Sequence, residues 1–315
     1  MKKILLFCLF PFIISLCGCE NTEKTETRFM LDTVVTLTAD CNAETISGAF
    51  AMCENYERLL SRTVEGSDIY NLNNNPGFSS VSKETIEIIE RAIYWGDVSG
   101  GKFDITVCPV SELWDFKNQV VPSKDEISAA LRNVDYHSIA ILNDLVDTGG
   151  KKIDLGGIAK GYIADKAATY LKENGAENGI VNLGGNVVVF GKKYTVGIKH
   201  PFEDGIIANI KLEDKACVTS GIYQRYIKSE GKIYHHIIDP DTGYGVENNL
   251  AGVTVIGNSS FDADALSTVC MLLGKHEGLK LINSIADTEA VFIDREGEIT
   301  LSRGLSMRKN TIYFN

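Results

Sequence analysis

The sequence predicts an α+β fold, with mixed and antiparallel sheets flanked by helices in one domain of two lobes. Two observations carry this. Apolar residues recur at helical spacing through the N-terminal half, while from Gly179 onward short β-branched runs jointed by Gly and Asn take over. Helices and strands are thus segregated rather than alternating, which disfavours a doubly wound parallel sheet. No internal repeat and no second linker divides the chain.

Taken in order, Lys2 and Lys3 precede an apolar run over residues 4–16, which meets Leu16-Cys17-Gly18-Cys19. A basic start, a short apolar stretch and a small-residue exit describe a secretory signal. The run is shorter than the roughly 20 residues that a lasting membrane helix needs. Cysteine after Leu-Cys-Gly resembles the bacterial lipobox, in which a diacylated thiol becomes the mature N-terminus; two acyl chains anchor stably where one does not. The alternative is plain cleavage that leaves Cys19 a free thiol. Residues 1–18 are therefore expected to be a lipoprotein signal peptide and 19–28 a polar, flexible leash. Residues 29–315 would form the folded domain, held on the extracytoplasmic face of a bacterial cell membrane.

Residues 29–38 read as a first strand. Residues 43–60 and 82–98 carry apolar side chains at helical spacing, a loop-like region spans 100–118, and a short helix covers 124–132. Short strands broken by Gly149-Gly150 lead to a helix over 158–174, stopped by Gly175 as a left-handed cap. Strands follow at 179–183, 186–190, 194–199, 206–212, 216–219, 222–228 and 250–256. Helices at 261–273 and 275–285 and a final β segment end the chain.

Formal net charge is −11, and no basic patch stands out, so a nucleic-acid partner is not expected. Cys41, Cys53, Cys108, Cys217 and Cys270 are scattered singly, without the close pairs of zinc sites or redox dithiols, and read as small buried hydrophobes.

Asp264 and Thr268 stand one helical turn apart with Ser267 between them, so a carboxylate and a hydroxyl share one face. Such hard oxygen ligands suit Mg²⁺, although Asp262 and Asp264 are equally at home in a first helical turn for its dipole alone. Ile153-Asp154-Leu155-Gly156-Gly157-Ile158-Ala159-Lys160-Gly161 runs from strand through a Gly-Gly turn into a helix. Free N–H groups there favour an anion such as phosphate, with Lys160 adding charge. Neither the Walker order nor the three-glycine dinucleotide fingerprint is met. Asn182-Leu183-Gly184-Gly185-Asn186 and Thr219-Ser220-Gly221 are small-residue turns. His235-His236-Ile237-Ile238-Asp239-Pro240 places histidine near carboxylate, as a general base requires, and strand alternation lets only one of the pair face a given site.

With Phe103-Asp104 and Thr106, Tyr162 and Asp165, Thr242-Gly243, and Asp264-Ala265-Leu266-Ser267-Thr268, these segments together resemble the ApbE family of FAD:protein FMN transferases over about residues 30–292. That resemblance implies a fold related to the T-fold, FAD as substrate and Mg²⁺ near its pyrophosphate. By similarity, Asp264, Ser267 and Thr268, with the carbonyl of Gly157, would ligate the metal. Met30, Lys102, Phe103, Asp104, Asp154, Lys160 and Ile238 would line the FAD site, and His236 would be the general base. The implied reaction moves FMN onto a Ser or Thr hydroxyl of an exported or membrane acceptor protein and releases AMP. FAD hydrolysis to FMN and AMP, or flavin binding without turnover, are the alternatives. The chain departs from the family pattern at Leu31-Asp32, where most relatives have Met-Gly-Thr, and at Arg62-Thr63, where many carry an aromatic.

Overall fold

The computed structural model describes residues 23–229 and 231–315. The signal segment and the lipidation site expected at Cys19 lie outside these residues. Helices along the described chain are α1 (Ala43–Leu60), α2 (Asp68–Asn74), α3 (Lys83–Val98), α4 (Cys108–Ser111), α5 (Lys124–Leu131), α6 (Ala159–Glu173) and α7 (Ser260–Ile282). Their starts follow local chemistry. Asn42 and Ser82 accept backbone N–H bonds at the heads of α1 and α3, and Ser123 with Glu126 closes a capping box on α5. Gly274, at φ 78°, kinks α7 where the sequence predicted a break between two helices.

An eight-stranded antiparallel sheet forms the middle layer, in the order Lys24–Met30, Thr33–Ala39, Gly179–Leu183, Asn186–Phe190, Lys215–Gly221, Leu250–Gly257, Glu289–Asp294, Ile299–Leu301. Helices α1, α6 and α7 cover one face, around Val35, Leu37, Val181, Val253 and Phe292. The other face meets a four-stranded mixed sheet through Val189, Cys217, Ile256 and Ile293. Leu250–Gly257 is buried at every position, as a strand covered on both faces must be. A third apolar cluster joins Val110, Trp114 and Ile127 to Ile227 and Ile238, beneath the hairpin of Tyr226–Ser229 and Lys232–His235. All five cysteines of the described chain are buried and unbridged. No described helix is long and apolar enough to cross a membrane.

Three expectations are corrected here. Residues 19–28 are not a leash throughout: Lys24–Met30 is the edge strand of the large sheet, in register with Thr33–Ala39, and Glu23 is held by Tyr194 and Lys192. Its polar composition misled because an edge strand with one wet face is held by the backbone ladder and by cross-strand pairs. Thr25–Thr38 and Thr27–Thr36 hydroxyl contacts at 2.9 and 3.1 Å are two of these. The single strand expected over 29–38 is accordingly a hairpin that turns at Leu31-Asp32, with φ of 55° and 56°. Residues 222–225 form a turn, and the strand begins only at Tyr226.

Candidate functional site

The close approach of α6 and α7 builds one wall of the site. A Cβ on Gly161 would lie 2.2 Å from the Ser260 carbonyl oxygen, so only glycine lets the helices touch there. Asp165 on α6 then locks the start of α7. One carboxylate oxygen accepts the Ser260 N–H at 3.0 Å, and the other accepts the Phe261 N–H and the Ser259 hydroxyl. Burial raises the pKa of Asp165 against these bonds. The result brings the head of α6, which has no side-chain cap, beside Asp264 and Thr268.

Asp264 is 5% exposed, has no basic partner among the described residues, and accepts one bond, from the Gly161 N–H at 2.8 Å. The Ser267 hydroxyl donates to the Asp264 carbonyl at 2.9 Å, and Ser220 lies 2.7 Å from Ser267 and 3.2 Å from Thr268. Gly157 is close by: an added Cβ there would meet Thr268 Oγ1 at 4.0 Å and the Phe103 ring at 3.2 Å. A buried carboxylate without a counter-charge, with the Thr268 hydroxyl one helical turn along the same face, supplies hard oxygen donors of the kind a small divalent cation takes. No group of three or more His, Cys, Asp or Glu gathers among the described residues, so a cation here would draw its remaining ligands from phosphate and water.

Several other lining residues are ion-paired. Lys102 Nζ contacts Asp239 at 2.9 and 3.2 Å and Asp241 at 2.7 Å; burial opposes its charge, but these bonds outweigh it and raise its pKa. Asp154 accepts the Gly156 N–H at 2.8 Å and pairs with Arg62 Nε at 3.2 Å, while Arg62 also reaches Glu112 at 2.8 Å. Asn73 pins Ile153, accepting its N–H at 2.7 Å and donating to its carbonyl at 2.9 Å. Asp104 accepts from the Thr106 N–H and hydroxyl and from the Tyr136 N–H; burial nonetheless raises its pKa.

His236 lines the same cleft. Its Nδ1 lies 3.3 Å from the Arg225 carbonyl, which can only accept, so Nδ1 carries the proton and Nε2 keeps a lone pair. Burial, supported by the positive charges of Arg225 and Lys160, pushes its pKa down to about 4. His235, the last residue of the preceding strand, does not line this cleft and is buried with Nε2 on the Val246 carbonyl at 3.1 Å.

These residues surround a cleft of about 1410 Å³ whose lining includes Lys102, Phe103, Asp104, Asp154, Gly157, Lys160, His236, Ile238, Asp264 and Thr268. Two residues expected at the site do not line it. Met30, at 6% exposure, turns into the core at the end of its strand and leaves Leu31 and Asp32 at the cleft. Ser267 is fully buried, with its proton directed at Asp264 and Ser220 as its contact with the lining. Sequence reading missed Glu57, which receives the Leu31 N–H at 2.9 Å, and saw Arg62 only as a lost aromatic. Contacts between residues so distant in the chain leave no local signal.

The ApbE family model matches residues 31–292. An FAD:protein FMN transferase of Klebsiella pneumoniae is 33% identical over 83% of this chain and 86% of its own length. One of Treponema pallidum is 29% identical over 81% and 78%. Among solved structures, the ApbE protein of Thermotoga maritima superposes with TM-score 0.83 at 30% identity, covering 90% of this chain and 97% of that one. The apo flavinyl transferase ApbE of Pseudomonas stutzeri gives 0.79 at 28% identity, over 89% and 95%. With helices and antiparallel sheets arranged as in those structures and a family match across most of its length, the chain belongs to the ApbE family.

Proposed function

We propose that this protein is a flavin transferase that moves the FMN half of FAD onto a Ser or Thr hydroxyl of an acceptor protein and releases AMP. The observation that carries the reading is the pairing of an unpartnered buried carboxylate, Asp264, with a neutral histidine, His236, across one cleft. The relatives named as FAD:protein FMN transferases support it. A cleft of about 1410 Å³ exceeds the roughly 300–1,000 Å³ of ordinary small-molecule pockets, which suits a dinucleotide together with a segment of acceptor.

The uncapped head of α6 and Lys160 favour the pyrophosphate. Asp264 and Thr268, with the Gly157 carbonyl, would hold Mg²⁺. When bound, the ion would neutralise charge on the pyrophosphate as it builds up in the transition state. Nε2 of His236 takes the proton of the acceptor hydroxyl as its oxygen attacks the FMN phosphorus. A new phosphorus–oxygen bond forms while the bond to AMP breaks, and AMP leaves with the electron pair. In-line positioning supplies most of the rate, since neither substrate is remodelled.

A lipid on Cys19 would place this reaction at the outer face of a membrane. Because Lys24–Met30 is sheet, only a few residues would separate lipid from fold, and acceptors are expected to be membrane or surface proteins close by. The net charge of −11 argues against nucleic acid as a partner.

Purified protein incubated with FAD, Mg²⁺ and an exported candidate acceptor should add one FMN phosphoryl mass to the acceptor and release AMP in equal amount. FMN and AMP without an adduct would make the protein a hydrolase. FAD binding with no AMP would make it a carrier.

A further inference from the structure

We infer that Ser220 is a positioning residue for the cation site: its hydroxyl fixes the proton of Thr268 so that the Thr268 lone pairs face the cleft. The inference rests on the cation reading given above. Ser220 is the last residue but one of the strand Lys215–Gly221 and faces α7, where its Oγ lies 2.7 Å from Ser267 Oγ and 3.2 Å from Thr268 Oγ1.

Proton counting gives these contacts a direction. Ser267 has one hydroxyl proton, which we assign to the Asp264 carbonyl at 2.9 Å, the contact a helical serine makes one turn back. Ser267 Oγ therefore accepts from Ser220, which uses the only proton of Ser220. On that assignment Ser220 accepts in the remaining contact at 3.2 Å, and Thr268 donates. The other acceptor open to Thr268 is the Asp264 carbonyl at 3.5 Å, at the limit of a hydrogen bond. With its proton held by Ser220, Thr268 Oγ1 offers lone pairs, not a proton, to the cleft beside Asp264. A cation needs that presentation, because a hydroxyl rotor aimed proton-first would repel it. Groups that orient metal ligands in this way commonly matter nearly as much as the ligands themselves. Thr219-Ser220-Gly221 thereby gains a role that its small-residue turn character does not suggest.

The test titrates Mn²⁺ into FAD-loaded protein without acceptor, counting bound metal from the loss of the free-ion electron paramagnetic resonance signal. Ser220→Ala should weaken Mn²⁺ binding about tenfold, and Ser220→Thr, which restores a hydroxyl, should stay within about twofold of the parent. Quenching of FAD fluorescence without metal should be the same for all three proteins, which separates metal positioning from general damage. Parent-like Mn²⁺ affinity in Ser220→Ala would overturn the inference. So would equal weakening in Ser220→Thr, which would assign the effect to packing. If the parent itself takes up no Mn²⁺, the cation reading fails, and the inference falls with it.

Discussion

Two regions of the cleft treat charge in opposite ways. At the α6–α7 contact Asp264 is buried against one neutral N–H with no cation among the described residues, whereas Lys102 pairs with Asp239 and Asp241, and Arg62 with Asp154 and Glu112, in part-exposed contacts along the same cleft. Burial of an unpaired carboxylate is costly, and a fold retains one where an outside partner repays the cost. The ion-paired carboxylates, by contrast, already have cationic partners within the chain. Carboxylates of one cleft thus divide into those that await a ligand and those that hold the walls in shape.

Substitutions can break this contrast. The largest effect is expected for Asp264→Asn, which keeps an acceptor for the Gly161 N–H but removes the charge. Transfer should fall by about three orders of magnitude, as several kcal/mol of charge stabilisation would be lost, while thermal stability is kept or raised. Undiminished Mg²⁺-dependent transfer in that variant would refute the division. His236→Ala should lose about 10²–10⁴-fold in transfer with FAD binding retained. In the parent, the acid limb of the pH–rate profile due to this group should lie near pH 4, below which Nε2 is protonated and cannot accept, and not near the ordinary histidine value of 6.5. A limb at 6.5 that disappears in the variant would show the ring to be solvated.

Lys102→Met should reverse the pattern of Asp264→Asn. It strands the part-buried Asp239, so we expect a loss of about 1–3 kcal/mol of stability, measured by urea unfolding, with a smaller loss of activity. Equal stability would mean that the ion-paired part of the cleft is not held by these charges. The smallest effect should come at the hairpin tip beside the cleft. Asp32 has φ 56° and its carboxylate is largely exposed, so Asp32→Gly should stabilise by about 0.5–1 kcal/mol, as glycine suits the second position of such a turn. A destabilised variant would show that the 3.8 Å pair with Arg225 matters more than backbone strain.

Much of this was legible in the sequence because its causes are local. Periodicity gave α1 its bounds and placed α3 within one residue, and Gly175 ended α6. Asp264 and Thr268 lie on one face because four residues make about a turn of helix. The edge strand Lys24–Met30 was not legible, since its stability comes from a partner strand and not from its own apolar content.

The sequence by itself determined the α+β class, the family and the residue types gathered at the cleft. Tertiary structure alone decided their roles. It set Lys102 against two aspartates, gave Asp154 to Arg62, withdrew Met30 and Ser267 from the cleft lining, and left Asp264 without a counter-charge. The physical reason is that a motif specifies which groups are present, whereas the energy of a charge depends on burial and on partners brought close only by the packing of distant segments.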